Sequence, residues 1–289
     1  MTIAPTEALR PTRVPRPSML GRKLTPGEVA ILETFVVPRY LEKFGEPVLN
    51  LMLLGGTARV AHIGCRTGYP DRELLEMSDT CSLVGVDASL AALELARNKA
   101  AALNDASLEY HVATEYPTPL EAESFSHAMS LHPTGTGDDR MMLFGEMERL
   151  LYSGGQALVS LPLRGSFQEI GDLFREYALK FDHGDFGKAT EAALLGRPTV
   201  EMLAEELEAV GFEDVDVDVR QISLSFESGR AFTDDPVTRL LVLPDLQAQM
   251  GLNDLDDPIH YLNDAIAKYW SQRDFELAVT IGTASARKP

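Results

Sequence analysis

The stretch "ARVAHIGCRTGYPDRELLEM", Ala58 to Met77, holds residue types that suit a nucleotide-like ligand. Gly64 and Gly68 bracket a turn that follows an apolar run. Only glycine enters the positive-φ region cheaply and lets backbone approach a bound molecule, so this pair fits a strand-to-helix turn over a ligand. Asp87 closes the next apolar run, Ser82–Val86, where a carboxylate can accept hydrogen bonds from two adjacent ribose hydroxyls. Arg66 lies between the two glycines, where a third is the usual choice. Its long side chain either fills the pocket, pairs with a ligand carboxylate or leaves over the rim. The expectation is an exit toward solvent or a carboxylate, since a long chain can carry its charge away from the turn.

These residues need strands and helices in alternation to hold them. Arg59–Ile63, Ser82–Val86, Leu108–Val112, Ser126–Leu131 and Ala157–Leu161 read as short apolar strands. Val215–Val219 with "QISLSF" reads as a sixth, and Phe275–Ile281 as a last. Between them, Pro70 suits the first turn of a helix and Ser89 the cap of another, whose Leu90, Leu93, Ala96, Ala100 and Leu103 share one face. Asp138 or Asp139 opens a further helix, "SFQE" (Ser166–Glu169) reads as a capping box, and Thr199 caps a helix ended by Gly211. Ahead of the first strand, residues 26–52 read as helix, with breaks near Pro38 and Pro47. Such alternation means parallel strands joined by helical crossovers, with ligands bound outside the carboxyl ends of the strands. The expected fold class is therefore α/β, a doubly wound and mostly parallel sheet.

Bulk composition narrows the class. The chain has 289 residues, 45% of them hydrophobic, enough for one large domain. No apolar run approaches the roughly 18 residues of a membrane span, and no signal core opens the chain. With only Cys65 and Cys81, a reducing cytoplasmic location is expected. The net charge of −18 argues against nucleic acid as a partner. The first 25 residues run the other way: Arg10, Arg13, Arg16, Arg22 and Lys23 stand against Glu7 alone, among Pro5, Pro11, Pro15 and Pro17. They read as a disordered basic arm, either a solubilising leader or a docking arm for an acidic partner or for the body itself. Residues 26–289 read as one domain with an N-terminal helical cap and a helical insert at about 227–272. No metal is assigned: His62 and Cys65 alone make a poor site, and "FDHGDFG" (Phe181–Gly187) reads as a solvated loop.

Five stretches in order resemble the class I S-adenosylmethionine-dependent methyltransferases: "VAHIGCRTG", "LVGVDAS", "SFSHAMSLH", "MERLLYSGGQALVSLP" and "VEMLAEELEAVGFEDVDVDV". The resemblance implies a seven-stranded Rossmann-like sheet with an antiparallel last strand, S-adenosylmethionine as cofactor, and methyl transfer to a small molecule or protein. It assigns Gly64, Arg66 and Gly68 to the cofactor turn and Asp87 to the ribose. His62 stands where the family usually has an acid; it either hydrogen-bonds the cofactor or packs at a strand end. Glu115 is the candidate near the adenine, because "VATEYP" lacks the usual acid. His132, at the exit of the fourth strand, is either a general base or a lining of the turn before Pro133. Ser126 replaces an aspartate. Two other readings remain open: a dinucleotide enzyme, disfavoured by the broken G-x-G-x-x-G, and a methyltransferase fold that lost catalysis and serves as a binding or scaffold module.

Overall fold

The computed structural model describes residues 20–289 except 79, 104–106 and 253, so the basic stretch before Leu20 lies outside the described residues. Seven strands form one sheet: β1 (Ala58–Ile63), β2 (Cys81–Asp87), β3 (Leu108–Val112), β4 (Phe125–Leu131), β5 (Leu151–Pro162), β6 (Glu213–Phe226) and β7 (Phe275–Arg287). Their order is β3-β2-β1-β4-β5-β7-β6. The five strands from β3 to β5 pair in parallel, and β7 runs antiparallel to both β5 and β6. This is the doubly wound sheet that the alternation implies, with the reversed last strand that the resemblance implies. Strand β4 is buried at every position and β1 at all but Arg59, the continuous apolar run that helices on both sheet faces require.

The helices are α1 (Pro26–Ile31), a π-helical stretch (Leu32–Leu41), α2 (Glu42–Leu51), α3 (Asp71–Met77), α4 (Leu90–Leu103), α5 (Gly137–Leu150), α6 (Gln168–Lys180), α7 (Gly184–Gly196) and α8 (Val200–Ala209). Between β6 and β7 come α9 (Gly229–Asp234), a π-helical turn (Thr238–Val242), α10 (Leu243–Met250) and α11 (Asp256–Tyr269). These late helices pack with the N-terminal ones over β6 and β7, in a core that includes Tyr40, Phe44, Phe174, Phe232, Leu262 and Phe275.

Four local readings are corrected. Residues 26–51 run on through Pro38 and Pro47 without a break: Pro38 falls in the wide π-helical turns and Pro47 inside α2. "SFQE" is not a capping box. Ser166 Oγ donates to Thr280 O and accepts from Thr280 N, while the Glu169 carboxylate accepts from Ala278 N. A neighbouring strand thus claims the groups that local spacing assigned to the helix end. Part of "FDHGDFG" is helical, since α7 starts at Gly184. Residues 20–25, read as the end of a disordered arm, are ordered and lie on the body, the place the docking alternative gave the arm: Leu20 is buried, and Thr25 forms a capping box with Glu28.

Packing sets which glycines can change. A Cβ on Gly85 in β2 would lie 2.6 Å from the Tyr110 ring and 2.8 Å from Cys65 Sγ, whereas one on Gly145 in α5 would meet nothing within 4 Å. Gly85→Ala is expected to destabilise the fold by about 1–3 kcal/mol through overpacking. Gly145→Ala is expected to stabilise it by roughly 0.5–1 kcal/mol through helix propensity. Urea denaturation of the two variants checks both signs.

Candidate functional site

Strand β1 is flanked by β2 and β4, so crossovers leave it in opposite directions and a crevice opens at its carboxyl end. The turn after β1 builds that crevice. Gly64 N and Cys65 N both donate to Val86 O, at 2.8 and 3.1 Å, which ties the turn to β2. Gly64 and Gly68 have φ of 73° and 78°. A Cβ on Gly68 would also lie 2.9 Å from Tyr110 Oη, so both glycines are needed as glycines.

Asp87, at the tip of β2, organises the turn itself. Its Oδ2 accepts from Arg66 N at 3.0 Å and its Oδ1 from Ser89 N at 2.8 Å. Burial raises its pKa above the ordinary carboxylate value, opposed by those two N–H groups and by the Arg66 charge. Asp87 therefore also supports the fold, since it holds two backbone donors.

His62 faces away from ligand chemistry. Its Nδ1 pairs with Asp71 Oδ1 at 2.6 Å, and Tyr110 Oη donates to Asp71 Oδ2 at 2.9 Å, all three side chains buried behind the turn. The strand-end alternative holds for it. Asp71 and Tyr110 were not singled out in the sequence; an acid nine residues after His62, on the next helix, was the available signal. Ser126 is structural too, bonded to Arg59 N and Arg59 O across the β1–β4 gap.

Arg66 decides the shape of the crevice: in place of the expected exit toward solvent or a ligand carboxylate, its side chain lies on the chain's own carbonyls. With φ of 48° it turns inward. The guanidinium donates to Leu131 O and His132 O, each at 2.8 Å, and more weakly to Gly64 O at 3.5 Å. Burial pulls its pKa below the ordinary arginine value, while the Asp87 carboxylate supports the charge.

Residues 20–24 close the crevice from above. Leu20 is 3% exposed and packs with Ile63, Val86 and Ala88. Gly21 crosses Asp87, a Cβ there lying 4.0 Å from Asp87 Oδ2, and Leu24 N donates to Ser89 Oγ at 3.0 Å. A cavity of about 20 Å³ remains among Leu20, Gly64, Arg66, Tyr116, Ser130 and Thr134, room for a water molecule and little else. Glu115 is exposed and lines none of the cavities described; Tyr116 takes the position facing the crevice.

His132 is fully buried beneath Arg66. Its Nε2 meets Tyr40 Oη at 3.1 Å, its ring edges against Tyr40 and Phe44, and its Nδ1 has no partner. Burial pushes its pKa down to about 3, with the Arg66 and Arg197 charges acting in the same direction. A neutral imidazole with so low a pKa is a weak proton acceptor.

Residues 61–159 match the family described as methyltransferase domain. No curated protein matches the chain by sequence. Among solved structures, the chain is similar to a Bacillus halodurans C-125 protein provisionally described as a methyltransferase, with a TM-score of 0.56 at 16% identity, over 84% of this chain and 98% of that one. It is also similar to phosphoethanolamine N-methyltransferase 2 of Haemonchus contortus in complex with phosphomonomethylethanolamine and S-adenosylhomocysteine, with a TM-score of 0.57 at 18% identity. That match covers 92% of this chain and 58% of that one. At these identities the likeness is one of fold.

The family's cofactor, S-adenosylmethionine, can be tested against this crevice. The frame matches: two positive-φ glycines and an acid at the tip of β2. The space does not, because Arg66 and Leu20 fill it, and about 20 Å³ falls far below the roughly 300 Å³ of the smaller ligand pockets. As arranged, the residues do not fit the cofactor.

His132 makes a pH test available. The unfolded chain protonates it below about 6.5 and the folded protein only near 3, so between these values the unfolded state binds the extra proton and stability falls as pH falls. The expected contribution is roughly 1.4 kcal/mol per pH unit. His132→Asn, a residue tolerant of the 46° φ here, should flatten the slope of unfolding free energy between pH 4 and 6. An equal slope in both proteins would show that His132 titrates normally when folded.

Proposed function

We propose that this chain is an S-adenosylmethionine-dependent methyltransferase acting on a small molecule or a protein, and that it works from a state in which Arg66 and residues 20–24 have left the crevice. The observation that carries this reading is the retained frame: Gly64 and Gly68 in conformations that disfavour any side chain, with Asp87 beside them at the β1 switch point. Packing against Tyr110 already requires Gly68, so the weight of this reading falls on Gly64, which has no such clash, and on Asp87. The match of residues 61–159 to a methyltransferase domain supports the same reading.

The substrate class follows from charge. A net −18 repels polyanions and leaves small molecules and proteins as acceptors. No helix among the described residues is long and apolar enough to cross a membrane. Catalysis by alignment asks little of side chains. His132 serves as a base only in the tautomer that donates from Nε2 to Tyr40, which leaves Nδ1 as the acceptor, and only once it is less buried than here.

The second reading, a fold that lost catalysis and serves as a binding module, is favoured by one observation: the inward Arg66 with its two short carbonyl bonds. Equilibrium titration with S-adenosylhomocysteine separates the two. Under the enzyme reading the wild-type chain binds, and Asp87→Asn weakens binding by about 1.5–3 kcal/mol, the scale of charge-assisted hydrogen bonds. If the wild type never binds, even at millimolar ligand, while Arg66→Gly does, the lost-catalysis reading takes over. Absence of binding by both proteins, each folded, ends the cofactor assignment.

A further inference from the structure

We infer that the pocket at the carboxyl ends of β1 and β4 is a cation site filled in cis by Arg66 and sealed by residues 20–24, so that an external organic cation enters only by displacing the chain's own guanidinium. Two parallel strands end here with carbonyls that have no further strand to pair with, and a buried carbonyl needs a donor. Leu131 O, His132 O and Gly64 O point into one small space beside the Asp87 carboxylate. That set of oxygens is complementary to a compact, weakly hydrated cation with several N–H groups, which describes guanidinium. Arg66 supplies it, at the cost of a positive φ on a non-glycine residue.

The seal is independent of the plug. Leu20 covers the turn, with its carbonyl oxygen 3.9 Å from where a Gly64 Cβ would lie, and Gly21 passes over Asp87 in a positive-φ conformation of 110°. The segment is fixed at its far end by the Leu24 N–H to Ser89, by the Arg22–Glu28 ion pair at 2.7 Å and by the Thr25–Glu28 capping box. It divides the crevice in two. Beneath Leu20 and Gly21 lies the space of about 20 Å³; beyond Lys23 and Leu24, between the ends of β2 and β3, lies an open hollow of about 420 Å³ lined by Ser89, Leu90, Glu94 and Val112. Lifting the segment would join the hollow to the plugged site.

S-adenosylmethionine carries a sulfonium and an ammonium, so it competes with Arg66 charge for charge. This consequence rests on the cofactor reading above; the resident cation does not.

The test removes the plug and offers its headgroup back. Arg66→Gly keeps the turn's backbone conformation accessible and exposes the carbonyl set. Methylguanidinium at tens of millimolar is expected to raise the melting temperature of Arg66→Gly by several degrees and to leave the wild type unchanged or lowered, with N-methylurea, the neutral near-isostere, ineffective on both. Should Arg66→Gly not fold alone, recovery of the folded circular dichroism spectrum by methylguanidinium and not by N-methylurea is the same result. No selective effect of methylguanidinium on Arg66→Gly overturns the inference. For the consequence, S-adenosylhomocysteine, which retains the ammonium, is expected to bind Arg66→Gly at least about tenfold tighter than the wild type, as release from an internal competitor predicts. Equal or weaker binding by the variant overturns the competition. Stabilisation by methylguanidinium with no nucleoside binding by either protein keeps the cation site and ends the cofactor reading, so the two failures are distinct.

Discussion

A part-buried guanidinium against strand-end carbonyls sets the state of this molecule. Arg66 lies at the one place in the sheet where crossovers diverge and backbone oxygens are left over. Its charge has to be matched there, and the Asp87 carboxylate does so while also receiving the Arg66 and Ser89 N–H groups. The Arg66 bonds to Leu131 O and His132 O fix how β4 ends. That in turn fixes His132 beneath, away from water and neutral.

The rest of the fold braces this arrangement from three sides. Behind the turn, the His62–Asp71–Tyr110 chain joins β1, α3 and β3, and leaves room for no side chain at Gly68. At its flank, Lys99 in α4 donates to Thr67 O at 2.9 Å and pairs with Glu33 at 2.7 Å, tying the N-terminal helices to the turn. From below, Tyr40 and Phe44 of those helices enclose the His132 ring. The N-terminal helices are therefore part of the site and not an appendage to it, and residues 20–24 continue them across the crevice.

Farther out, a buried ion pair sets the other end of the same strand tips. Arg197, just after α7, donates to Asp245 of α10 at 2.7 Å and stacks over the Phe167 ring, while Asp245 also accepts from Gly135 N. Both charges are nearly free of solvent, so either one alone would be costly and the pair locks the late helices to the loop after β4. A doubly wound sheet with a helical cover on one side is built in this way from groups drawn from four separate parts of the chain.

The sequence by itself determined the sheet. Apolar runs of five to seven residues, closed by Gly, Asp or Pro and separated by helix-patterned stretches, admit little besides parallel strands with crossovers, and the reversed last strand came from what the family resemblance implies. It also located the turn, because a glycine at positive φ is a local requirement legible residue by residue. What it left open were contacts between distant segments. Ser166 and Glu169 had the spacing of a capping box, yet β7, more than a hundred residues later, takes their hydrogen bonds. His62 could have met a ligand or a core partner, and Asp71 settles it. Glu115 and Tyr116 are adjacent in the bend after β3, and only the packing of that bend decides which one faces the crevice. Arg66 was legible as the odd residue of the turn but not in its direction: a long cation goes where unpaired carbonyls and a carboxylate wait, and only the packing of β1, β2 and β4 brings Gly64, Asp87, Leu131 and His132 to one point.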